Sequence, residues 1–162
     1  MTKSQEVTFI TFVGRSEWAV VNSFTAILFH TDLKPGKVHL LYKSSDKDIA
    51  ESCVEGLNGI FDIKGIDCGI EEHELEDEFD LMKPAELMEE ILEEDEEFVI
   101  DITPARKFMS SSALIEGMRN DVKGIYYLYI DSVEDADRPY LDIPLPRQDL
   151  IEMTRGEHLV RD

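Results

Sequence analysis

The sequence predicts an α/β domain on a mainly parallel sheet, and three observations carry that expectation. β-branched and aromatic runs alternate with segments of helical spacing along the whole chain. The helical segments between strands run to about 10 to 15 residues, the length a βαβ crossover needs. With 162 residues and 43% hydrophobic content, the chain fits one domain, 1–162, with a sizeable core.

In chain order, residues 7–13 (VTFITFV) read as a buried strand that Gly14-Arg15-Ser16 breaks. Residues 17–31 follow as a helix with Val20, Phe24, Ile27 and Leu28 on one face. Lys34-Pro35-Gly36 reads as a turn and residues 38–42 (VHLLY) as the second strand. Ser44 or Ser45 suits the cap of a helix running to about Leu57, and residues 60–70 form a weaker strand with interior glycines. Pro84 opens a helix in the acidic stretch, where proline suits the first turn. Residues 98–102 give a fourth strand, 109–120 its helix, and 125–130 (IYYLYI) a fifth strand. Residues 138–144 (RPYLDIP) are expected as a short antiparallel sixth strand, because Pro139 and Pro144 suit an edge. The tail from about residue 147 to 162 is too short and polar for another domain and reads as a C-terminal extension.

The formal charge is −20, and it is uneven. Residues 71–97 hold fifteen acidic side chains and one lysine, a net of −14, so the rest of the chain carries only −6. This acidic segment is expected to be helical with a solvated face; no metal-liganding geometry such as an EF-hand loop can be read from it. Long duplex nucleic acid is excluded as a partner, since its affinity rests on many cations. A small anionic ligand needs only a local positive pocket. No apolar run approaches the roughly 20 residues that span a bilayer, and MTKSQEV has no apolar signal region. Cys53 and Cys68 stand alone, without CxxC spacing, as expected of a cytoplasmic protein.

Two strand-to-helix junctions suit ligand chemistry. In open parallel sheets ligands bind beyond the carboxyl ends of strands, near the point where strand order reverses. At the first junction Gly14 permits a tight turn, Arg15 offers a fork of donors, and Ser16 is either a helix cap or a functional hydroxyl. Trp18 beside it suits packing or base stacking. The second is Asp101-Ile102-Thr103-Pro104-Ala105-Arg106-Lys107, where paired cations stand at a helix start. Thr103 before Pro104 also fits a plain helix cap, and the two cations also fit a solvated surface. Helix N-termini present unpaired N–H groups, so both junctions suit phosphate, with Arg106 and Lys107 adding charge-assisted hydrogen bonds. Other signatures are absent: there is no GxGxxG, GxSxG or HExxH, and Pro35-Gly36-Lys37 lacks the rest of a Walker A loop. His30, His39, His73 and His158 are scattered, and none stands out as a general base.

Together the junctions resemble those of the CRISPR-associated Rossmann fold (CARF) family. Its signature after the fourth strand reads approximately Asn/Asp-x-Thr-Gly-Gly-Thr-Lys, followed by Met-Ser. Here Asp101, Thr103, Lys107, Met109 and Ser110 match, while Pro104 and Ala105 replace both glycines. The resemblance implies a Rossmann-like three-layer fold with about six strands, an antiparallel edge strand near the C-terminus, and a homodimer. It implies binding of a cyclic oligoadenylate of type III CRISPR signalling, such as cyclic tetra-adenylate, across the two-fold axis. The chain ends soon after this core, so no C-terminal effector is expected and the likeness is to stand-alone ring nucleases. In those, a ribose 2′-OH attacks its adjacent phosphate without metal or cofactor, leaving a 2′,3′-cyclic phosphate. By position, Ser16 would orient the ribose or phosphate and Lys107 would stabilise phosphorane charge. Gly14, Arg15, Trp18, Thr103, Pro104, Ala105, Arg106, Met109 and Ser110 would contact the ligand. Two rival expectations stand beside this: a non-catalytic sensor or buffer acting through a protein partner, and a Rossmann-like domain for another nucleotide or recruited through its acidic helix.

Overall fold

The computed structural model describes residues 6–76, 82–94 and 96–161. Residues 1–5 and 162, and 77–81 and 95 of the acidic stretch, lie outside these. The elements are β1 (Glu6–Phe12), α1 (Glu17–His30), β2 (Lys34–Lys43), α2 (Lys47–Lys64), β3 (Gly69–Leu75), α3 (Lys83–Leu92), β4 (Phe98–Asp101), α4 (Lys107–Arg119), β5 (Gly124–Ile130), α5 (Val133–Ala136), β6 (Gln148–Glu152) and β7 (Glu157–His158). They form a seven-stranded sheet of order β3-β2-β1-β4-β5-β6-β7, parallel through β5 and antiparallel beyond it. This is a Rossmann-like fold.

β1 is buried along nearly its whole length, so consecutive side chains serve opposite faces. Phe9 meets Phe24 of α1 with ring centroids 4.8 Å apart, and Phe24 meets Phe61 of α2 edge-on at 5.6 Å. On the other face Ile10, Phe12 and Leu41 join Met88 and Ile91 of α3 and Met109 and Ala113 of α4. Helices therefore cover both sides, in three layers.

Several expectations are corrected by long-range packing. Pro35 is buried within β2 instead of forming a turn, opposite a register shift between Val7 and Thr8. A 3-10 turn, Ser44–Asp46, precedes α2, so neither serine caps the helix. α2 runs past Leu57 and absorbs Ile60 and Phe61, because Phe61 belongs to the α1–α2 core. It stops where Gly65 adopts φ 64°, with the Gly65 and Ile66 N–H groups donating to Asp62 and Phe61. The acidic segment is not one helix: Glu71–Leu75 pairs in β3, and among the described residues of the segment Lys83–Leu92 is the helical part.

The expected sixth strand at 138–144 is a loop with a 3-10 turn, Tyr140–Asp142, whose prolines cannot donate to a ladder. The antiparallel neighbour of β5 is Gln148–Glu152, so the C-terminal extension supplies two strands and the sheet has seven instead of about six. Its polarity is misleading because its side chains act as internal acceptors. Buried Glu152 accepts from the N–H groups of Ile125, Thr154 and Arg155. Among the described residues, no helix is long and apolar enough to cross a membrane.

Candidate nucleotide site at the β1/β4 switch point

Strand order reverses between β1 and β4, and both strand-to-helix junctions lie at the carboxyl ends of these two strands. They touch. A Cβ placed on Gly14 would lie 2.2 Å from the backbone carbonyl oxygen of Pro104, so glycine is required by close approach. Beneath them Asp101 is fully buried. Its carboxylate accepts from Ser23 Oγ of α1 (2.5 Å), Thr11 Oγ1 of β1 (3.2 Å) and the Thr103 N–H (3.0 Å). Burial pushes its pKa up to about 6, against the downward pull of the Ser23 and Thr103 hydrogen bonds. Asp101 is thus the tie that fixes both loops from below.

The two junctions differ in what they leave free. Ser16 caps α1: its Oγ accepts from the Trp18 N–H at 3.2 Å and donates to Asp137 Oδ1 at 3.4 Å. α4 begins at Lys107 after Arg106 and has no side-chain cap, so acceptors for its first-turn N–H groups must come from outside the helix. Thr103 is therefore not the cap. Its hydroxyl accepts from the Leu128 N–H of β5 at 2.8 Å. Pro104 and Ala105 form the turn ahead of the helix, closed by the Ala105 N–H on Ile102 at 3.1 Å.

Of the three cations, Arg15 and Lys107 are exposed and form no ion pair among the described residues. Arg106 is engaged, with Nη2 on both oxygens of Asp46 at 2.9 and 2.8 Å. Ser110 and Ser111 turn back to the Lys107 carbonyl at 2.9 Å, and Met109 is buried in the core. A cleft of about 230 Å³ opens beside the junctions, lined by Ser16, Asn22, Thr103, Tyr127, Leu128 and Asp137 among others. Trp18 is half-buried and does not line it. Tyr127 does, a half-exposed ring on β5 outside the residues expected at the site; its exposure depends on the register of β6, which short-range pattern does not carry. A larger cleft of about 390 Å³ sits at the amino ends of β1 and β2, where Glu6, Glu96 and Glu97 line it beside Lys37. Those carboxylates repel an anionic ligand.

Architecture and crevice together define a Rossmann-like α/β protein with a crevice at its switch point. No family model matches the sequence, and no curated protein matches it. Among solved structures the fold matches that of Can2 from Sulfobacillus thermosulfidooxidans in complex with cyclic tetra-adenylate. The TM-score is 0.65 over 97% of this chain at 15% identity, and the chain spans 37% of the length of Can2.

Proposed function

We propose that this chain is a CARF-type domain, 1–162, that binds a cyclic oligoadenylate of type III CRISPR signalling as a homodimer. The observation that carries this reading is the contact of Gly14 with Pro104, which makes one crevice of two junctions resembling the CARF motifs. The fold shared with a protein solved in complex with cyclic tetra-adenylate supports that ligand over other nucleotides. A cyclic tetranucleotide has few phosphates and its own symmetry, so two copies offer equal halves of one site. The −20 charge is no obstacle when Arg15 and Lys107 of each copy face the ring and the acidic segment does not.

On this reading the domain is a metal-independent ring nuclease. A ribose 2′-oxygen attacks the adjacent phosphorus in line, the bond to the 5′-oxygen breaks, and the 2′-OH proton passes through solvent to the leaving oxygen. Ser16 Oγ holds the ribose or phosphate, and the Lys107 ammonium stabilises charge on the phosphorane. The engagement of Ser16 as a cap and with Asp137 favours a second reading, a binder without turnover that signals through a protein partner.

Incubation with labelled cyclic tetra- and hexa-adenylate in EDTA separates these. Linear products ending in 2′,3′-cyclic phosphate are expected. Binding without turnover replaces the nuclease by the sensor, and binding of neither ring removes the reading.

A further inference from the structure

The register of β2 and β3 assembles a cluster that has no place in the crevice. His39 on β2 lies opposite Glu71 on β3, and His73 lies two residues further along the same face. That face is covered by α3, whose C-terminal end brings Glu94 alongside. His39 Nδ1 is 2.8 Å from His73 Nε2. The Glu71 carboxylate presents Oε2 at 3.8 Å to His39 Nδ1 and Oε1 at 4.0 Å to His73 Nε2. One ligand atom from each of the three residues falls within 4.8 Å of the others. A tetrahedral zinc site with metal–ligand distances near 2.1 Å places its ligand atoms about 3.3 Å apart. The imidazoles would open by about half an ångström, and a single carboxylate oxygen, now within 4.8 Å of both nitrogens, would close by up to about 1.5 Å.

A plain imidazole–imidazole hydrogen bond accounts for the cluster less well. His39 is 1% exposed, and its Nε2 is buried without a hydrogen-bond partner. One proton shared between His39 and His73 leaves that nitrogen unsatisfied in either tautomer. An ion on Nδ1 fixes the proton on Nε2, and Glu94 Oε2, 4.0 Å away, would have to approach by about 1 Å to complete the carboxylate–histidine–metal arrangement of known sites. Lys37 occupies Glu71 Oε2 at 3.1 Å, and among the described residues Oε1 makes no hydrogen bond. The acidic stretch around the site attracts cations.

We propose that His39 Nδ1, His73 Nε2 and the Glu71 carboxylate bind one divalent cation of the Zn²⁺ class, with Glu94 orienting His39. Two imidazoles select a borderline metal over Mg²⁺ or Ca²⁺. His39 is buried while Glu71 is half-exposed, so a water completes the fourth position and the ion pins edge strand β3 to β2. The site lies on the flank away from the β1/β4 crevice and is independent of the nucleotide reading.

Titration of the chelator-stripped chain with Co²⁺, in excess Ca²⁺ to fill carboxylate-only sites, reads this directly. One equivalent per chain with visible d–d absorption, displaced by Zn²⁺, is expected. His73→Ala and Glu71→Gln should each weaken binding by more than the about 10- to 100-fold typical of outer-shell partners, and Glu94→Gln by about 10-fold. About a hundredfold excess of Zn²⁺ over its dissociation constant should raise the melting temperature by about 5 °C or more in the wild type, and less in Glu71→Gln. Glu71 sits on an exposed strand edge, so its variant remains informative should His73→Ala fail to fold. Absence of saturable Co²⁺ binding, or equal affinity in wild type and Glu71→Gln, overturns the proposal.

Discussion

The two strand-to-helix junctions of the crevice are built alike and finished differently. At the first, Ser16 satisfies its own helix by capping the Trp18 N–H. At the second, α4 starts without a side-chain cap and Lys107 stands exposed at its first position. A helix end that supplies its own acceptor has less to offer an anion, so on the proposed function the second junction is expected to hold phosphate more strongly than the first. Arg106, the cation nearest in sequence, is held by Asp46 and shapes the loop.

The contrast breaks most sharply at the contact between the junctions. Gly14→Val drives a side chain into the Pro104 carbonyl, a backbone atom 2.2 Å from the new Cβ. Urea unfolding should show a loss at or beyond the about 1–3 kcal/mol of ordinary overpacking, accompanied by loss of cyclic tetra-adenylate binding. Unchanged stability and affinity would mean the junctions do not depend on each other.

Asp101 comes next, as the tie beneath both. Its folded pKa lies above its ordinary value of 3.8, so the native state holds the proton more tightly. Its contribution is full below pH 3.8 and is lost as pH rises through about 6. The stability of wild type relative to Asp101→Asn should therefore fall by about 3 kcal/mol across that range. A pH-independent difference would show that Asp101 titrates normally.

Lys107→Ala sharpens the comparison at the second junction alone. Cyclic tetra-adenylate turnover should slow on the order of 100-fold, as on loss of an oxyanion donor, with unfolding free energy moved by no more than about 0.5 kcal/mol. A normal rate removes Lys107 from the chemistry. Ser16→Ala should have the smallest effect, about 1 kcal/mol of stability from the lost cap. A turnover defect as large as that of Lys107→Ala would reverse the ranking of the two junctions.

Much of this was legible in the chain. The alternation of strands with helices survives at β1, α1, β2, α2, α3, β4, α4 and β5, because both periodicities are local, while β3 falls at Gly69–Leu75 instead of the expected 60–70. The junctions were legible too, since glycine, proline and paired cations punctuate the sequence where strands end. What escaped was long-range. Ile60 and Phe61 read as a strand until Phe61 is seen against Phe24. Gln148–Glu152 reads as a polar tail until Glu152 is seen accepting from Ile125 and Thr154. Glu71 and His73 read as part of a charged helix until β3 pairs with β2.

By itself, then, the sequence determined the α/β class, the strands that bury both faces and the position of the two strand-to-helix loops proposed to meet a ligand. Each follows from residue type and spacing over a few positions. Tertiary structure alone decided that Gly14 abuts Pro104, that Arg106 belongs to Asp46, that the tail closes the sheet, and that His39 meets His73 and Glu71. Strand order and register set those contacts, and a one-residue slip of β3 against β2 would turn Glu71 and His73 away from His39 to the other face.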